Sequence, residues 1–260
     1  SWAGASNVEW ITQAIAPGQT KTYENILQSL FRLNKGSWGV VLIRGDSVPS
    51  VPAIVSRTYN AANAETLGTF GLSVPAKDTS EGVGHASVDR SAFLGDLRQD
   101  ARFRTNVGIA NLQNAPAEVE IVFRDQAGVA LGSRARIVVE PNGVKQLNAA
   151  LSAPAVAGDQ LIGGAGYPNP VSHFSAEVIV RQGSRVYPYA TVIDQGTGDA
   201  IVITPNSNPS STCRLPGIVR AKGISGAYWV SDVAVLNPTP YPRRVKVTYS
   251  YLMTGKSGRM

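Results

Sequence analysis

The stretch RFRTNVGIANLQNAPAEVEIVF, residues 102–123, recurs without a gap as YWVSDVAVLNPTPYPRRVKVTY, residues 228–249. The offset is 126 throughout, and it pairs Phe103 with Trp229, Thr105 with Ser231, Asn106 with Asp232, Val107 with Val233, Asn111 with Asn237, Pro116 with Pro242 and Val119 with Val245. Chemistry is kept position by position, as expected of an internal repeat. Within each copy, runs such as VEIVF and VKVTY alternate apolar and polar residues with a period of two. That is the pattern of a strand with one buried and one wet face.

Outward from this stretch the same comparison continues. IAPGQTK, residues 15–21, matches VEPNGVK, residues 139–145, and each leads to a short segment containing Leu27 or Leu151. AIVSRTYN (53–60) resembles YATVIDQG (189–196), and TLGTFGLSVPA (66–76) resembles TGDAIVITPN (197–206). The offset between these copies drifts, which places a longer loop near Gly163 to Pro170, since insertions collect in surface connections. The expected organisation is therefore the back half of one repeat in residues 1–84, a complete repeat in 85–210 and the front half of another in 211–260. A half repeat left alone exposes apolar strand faces and unpaired edges. The two end halves are expected to complete one another, within a chain or between neighbouring chains.

Between the apolar runs ARIVV, AEVIV and WGVVLI lie the turn signals PGQ, PNG, RDQAG, NPTPYP, DQGTGD and YPNP. Strands at such spacing predict an all-β fold of antiparallel β-sandwich repeats in tandem. The helical candidate is YENILQSLFRL, residues 23–33, where Ile26, Leu27, Leu30 and Leu33 recur at three and four. At most one short helix per repeat follows. The succession of aromatic, T/S-N/D-V, apolar run into N-P or N-L-Q-N-A-P, V-x-V strand, P-x-G turn and Y-A-T-V-I-D strand resembles the tandem β-sandwich repeats of large exported bacterial proteins. These are broadly immunoglobulin- or fibronectin-type-like. The resemblance implies an extracellular or cell-surface setting and supplies no site residues. The two core cysteines that flank a tryptophan in immunoglobulin domains are missing, since Cys213 is the only cysteine.

Charge and composition exclude several function classes. The net charge is +6, yet the basic residues are dispersed, the densest group being Arg243, Arg244 and Lys246. No basic stripe with interleaved aromatics marks a nucleic-acid binder. No apolar run reaches the roughly 18 residues that cross a bilayer, and no basic segment precedes an apolar core at the start. Membrane insertion is not expected, and an export signal is expected outside this chain.

Catalytic constellations are equally scarce. His85 and His173 stand apart from other ligand-type residues, so neither a metal nor a cofactor is expected. GISGA (223–227) has its serine in the wrong frame for a nucleophile elbow, and GVGHAS (82–87) reads as a link between domains rather than a phosphate loop. Asp194 and Asp199 are the best acidic candidates for calcium, but in a Gly-rich hairpin loop Asp commonly shapes the turn. Asn111 and Asn237, each before a Pro-containing turn, read as structural. Trp10, Trp38, Trp229, Tyr187 and Tyr189 suit core or sheet-face packing better than a sugar-stacking platform.

The expected function is non-enzymatic: a structural or spacer module of a secreted or surface repeat protein, with neighbouring repeats or other copies as partners. The alternatives are an adhesin-like module binding polysaccharide or a host surface, and a filament subunit assembled by strand complementation.

Overall fold

The computed structural model describes residues 11–34, 36, 39–41, 43, 53–59, 71–78, 80–85, 91–151, 171–205, 212–215, 218–223 and 226–248. They form one short helix, α1 (Ile26–Ser29), and the strands β1 (Thr58–Tyr59), β2 (Gly71–Leu72), β3 (Ser91–Gln99), β4 (Phe103–Asn111), β5 (Ala117–Asp125), β6 (Ala130–Val139), β7 (Val144–Leu147), β8 (Val171–Gly183), β9 (Val186–Asp194), β10 (Ala200–Ile203), β11 (Arg220–Lys222) and β12 (Tyr228–Val230). Every strand pairing is antiparallel.

Two four-stranded sheets, in the orders β10-β9-β4-β7 and β3-β8-β5-β6, face one another across a single core. The period-two pattern determines what enters it. Ala117, Val119, Ile121 and Phe123 of β5 point inward with Phe174, Ala176, Val178 and Val180 of β8, and the opposing sheet adds Val107, Ile109, Val186, Ala190 and Val192. Phe123 and Phe174 meet edge to face with centroids 5.8 Å apart, a favoured aromatic geometry.

One irregularity ties the two layers, and another lets two strands of one sheet run close. Asp96 adopts a left-handed φ of 52° where the β3–β8 register shifts, which bends β3 towards the other sheet. There the buried Thr105 hydroxyl donates to Arg98 O at 2.6 Å and accepts from Arg98 N at 3.1 Å. At the opposite end Gly183, with φ +87°, lets β8 pass close to Pro116: a Cβ there would stand 2.1 Å from the Pro116 carbonyl oxygen.

Outside residues 91–203 the described chain is largely exposed. Val107, Ile109, Val119 and Ile121 have relative exposures of 1%, 0%, 0% and 0%, whereas Val233, Val235, Val245 and Val247 at the same repeat positions have 55%, 63%, 61% and 83%. The strands expected at VKVTY and at WGVVLI do not form among the described residues of either run. The helix is also shorter than its apolar spacing predicts. It runs only from Ile26 to Ser29, between left-handed Asn25 and Arg32, with no buried residue. An isolated segment of that length does not hold a helix without packing. The loop at Gly163 to Pro170 lies outside the described residues.

Candidate functional site

The densest charge cluster lies on the outer face of the β3-β8-β5-β6 sheet. Glu120 projects from β5 away from the core, yet its side chain is fully buried beneath three arginines. Arg181 of β8 grips it through Nε and Nη2, each at 3.0 Å. Arg134 of β6 donates at 2.8 Å, and Arg136, its cross-strand partner, stands 3.6 Å away. The Arg181 hydrogen bonds hold the Glu120 carboxyl below its ordinary value, aided by Arg134 and against the cost of burial. A carboxylate kept ionised and saturated by guanidinium groups has no proton to move. Its role is to clamp three neighbouring strands. The sequence reading missed this cluster. Its signal was the facing alternation of Glu118 and Glu120 with Arg134 and Arg136.

The predicted candidates are scattered. His173 Nδ1 lies 3.3 Å from Asp96 Oδ1 at the β3 irregularity, and His85 is exposed in a turn far along the chain. Among the described residues no three His, Cys, Asp or Glu side chains gather as a metal site would require. Both Asp194 carboxylate oxygens are engaged. Oδ1 accepts from Gly196 N at 2.8 Å, and Oδ2 pairs with Arg102 Nε and Nη2 at 3.0 and 2.9 Å. Asp199 Oδ1 accepts from Ala200 N at 3.0 Å, so both acids shape the β9–β10 loop.

The aromatics are equally local. Tyr187 and Tyr189 share the outer face of β9, but Tyr189 lies across Gly108 of β4, where a Cβ would meet its Cζ at 2.1 Å. Its hydroxyl donates to Gln146 Oε1 at 3.0 Å, and burial pushes its pKa up. Tyr187 packs against the Lys77 ammonium, 5.9 Å from its ring centroid, and Lys77 pairs with Glu81 at 2.9 Å. Trp229 is exposed on β12; Trp10 and Trp38 lie outside the described residues. GVGH at 82–85 is anchored on the sheets, since Val83 and Val186 exchange backbone bonds of 2.8 Å and Arg185 donates to Ser80 O and Gly82 O.

The arrangement with most consequence is a pair of interlocked turns. Asn111, fully buried at the end of β4, donates through Nδ2 to Ala115 O at 2.7 Å and accepts from Gln113 N at 3.1 Å, closing its own turn. The same Nδ2 donates to Val139 O at 3.0 Å, Asn111 N donates to Gly143 O at 2.8 Å, and Asn142 N donates to Gln113 O at 3.0 Å. The Asn turn is thus mated to the β6–β7 turn, in which Gly143 N donates to Glu140 O at 3.0 Å and Asn142 has a φ of 53°.

Both turns recur at the chain ends. Asn237 Nδ2 donates to Tyr241 O at 2.8 Å and Asn237 Oδ1 accepts from Thr239 N at 3.1 Å, the Asn111 bonds at the repeat offset. Gln19 N donates to Ala16 O at 3.0 Å across Gly18, whose φ is 72°, as Gly143 does across Asn142. The β1–β2 pair, Thr58↔Leu72 and Tyr59↔Gly71, joins the segments 53–60 and 66–76, as β9–β10 joins 189–196 and 197–206, in a different register.

No protein-family model matches the chain, and no curated protein matches it. Solved structures similar to it include Thermotoga maritima 1070, at 13% identity over 45% of this chain and 90% of that one, with a TM-score of 0.32. Another is the Anabaena sensory rhodopsin transducer, at 11% identity over 40% of this chain and 81% of that one, with a TM-score of 0.28. Overlaps at these scores carry no argument about function. The chain is a β-rich protein of antiparallel sheets.

Proposed function

We propose that the chain is a non-enzymatic structural or spacer module of a secreted or cell-surface protein built from tandem β-sandwich repeats. The observation that carries this reading is the Asn turn. Its hydrogen bonds recur at 237–241 with the spacing they have at 111–115, although the surroundings are buried in one place and exposed in the other. A local device kept without its core belongs to a repeating scaffold rather than to a single site. The chemistry of the described residues supports the same reading. Asp194 and Asp199 are spent on a loop, Glu120 on strand clamping and Tyr189 on covering Gly108.

Two measurements test it. Residues 85–210 expressed alone are expected to unfold in one cooperative transition, as a self-sufficient repeat does. The full chain is expected to retain no polysaccharide on a glycan array or in a pull-down with insoluble glycan. Saturable binding to one glycan, abolished by substitutions on one sheet face, would replace the spacer with an adhesin-like module.

A further inference from the structure

We infer that residues 77–84 are a clasp that fixes one repeat on the next, so that the spacer is stiff at this joint. The inference rests on the repeat reading proposed above and adds to it how neighbouring repeats are held. The stretch AKDTSEGVGHAS, residues 76–87, has the small, polar and Gly-rich composition of a flexible linker. Its described residues are instead bonded to the sandwich. Val83 and Val186 exchange backbone bonds of 2.8 Å, the N of each donating to the O of the other. Val186 faces Asn111 of β4 across the ladder, so Val83 lies on the other edge of β9, the edge that β10 occupies further along. The preceding repeat thus adds one antiparallel rung to a sheet of the following one, by strand addition.

Side chains close the clasp. Arg185 donates through Nη1 to Ser80 O at 3.0 Å and to Gly82 O. Lys77 pairs with Glu81 at 2.9 Å, Glu81 Oε1 accepts from Asp78 N at 3.1 Å, and the Lys77 ammonium stands 5.9 Å from the Tyr187 ring centroid. Gly82 runs so near β9 that a Cβ there would stand 2.5 Å from the Val186 carbonyl oxygen. Upstream of the clasp, β2 lies beside β10. The sandwich does not need the clasp to close its own core. The buried members of that core all lie between Leu94 and Val192, and Val83 only packs against them. The bonds therefore set the position of the neighbouring unit rather than the fold of this one. Contacts of this kind between neighbours couple a string of repeats into a rod.

The test is a distance measurement between spin labels in the full chain, with the exposed Cys213 replaced by Ser. The labels are carried at Val55→Cys, ahead of β1, and Val129→Cys, between β5 and β6, both exposed positions. One narrow distance distribution is expected. Arg185→Ala and Gly82→Ala are each expected to broaden it. Both are also expected to abolish protection of the Val83 amide, which otherwise exchanges at least about tenfold slower than an unstructured peptide amide. Amides of β4 and β5 are expected to stay protected in both variants. A broad distribution without either substitution, or a Val83 amide exchanging at the unstructured rate, would overturn the inference in favour of a flexible link. A narrow distribution that survives both substitutions would overturn it in favour of a joint held elsewhere. Loss of β4 and β5 protection in both variants would overturn it as well, since the contacts would then serve the fold of the sandwich. Each failure leaves the repeat reading to the folding of residues 85–210, which is measured separately.

Discussion

Residues 102–123 and 228–248 contain nearly one pattern and meet two fates. In the first, β4 lies between β7 and β9 and β5 between β6 and β8, so every inward residue is covered. In the second, the Asn turn closes and the β11–β12 hairpin forms, but Val233 to Val247 remain exposed. Turns follow from neighbours in sequence, and strands follow from neighbours in space. Two residues of sequence context suffice for an Asx-type turn, whereas a half-buried strand requires a partner along its ladder and a sheet across its apolar face.

The comparison is broken most sharply by paired substitutions at equivalent positions. Ile121→Ala removes a fully buried side chain and is expected to cost about 2–5 kcal/mol in the urea midpoint of the chain, whereas Val247→Ala is expected to change it by less than about 0.5 kcal/mol. Equal losses at both sites would mean that the C-terminal copy is packed as well as the middle one. Next in size is Gly183→Ala, which puts a Cβ against the Pro116 carbonyl at a positive φ. It is expected to cost about 2–3 kcal/mol of strain, with the loss seen as a lower thermal midpoint. Asn111→Ala leaves the Val139 carbonyl and the turn unsatisfied and is expected to cost about 1–3 kcal/mol. Asn237→Ala, in dilute chain, is expected to have little effect on the same transition.

Acid sharpens the comparison from another side. Glu120 is held below its ordinary value of 4.5 by Arg181 and Arg134. A depressed folded-state value means that its contribution is present above 4.5 and is lost as pH falls through the lower folded-state value. Asp194, lowered by Arg102, acts in the same direction. Melting below pH 4.5 is therefore expected to weaken residues 91–203, and Glu120→Gln to flatten that dependence. A slope unchanged by Glu120→Gln would show that the arginine clamp contributes nothing.

Much of the fold was legible because turns and alternation are written locally. VEIVF, ARIVV and AEVIV all became strands of one four-stranded sheet, and PNG and DQGTGD became the turns expected of them. Asn111 was readable as structural for the same reason. What escaped is non-local. The Glu120 clamp depends on the register that sets Glu120 beside Arg136 and near Arg181. The Tyr189 ring over Gly108 depends on β9 lying next to β4. The helix expected over residues 23–33 shortened because its apolar stripe found nothing to cover. Pattern announces which face is apolar and leaves open whether a partner is there to receive it.

Amide hydrogen exchange on the full chain, followed as a function of concentration, tests that last step most directly. Amides of residues 103–111 and 117–125 are expected to be protected at every concentration. Those of 233–237 and 245–248 are expected to exchange fast in dilute chain. Protection at 233–237 equal to that at 107–111 in dilute chain would contradict the account.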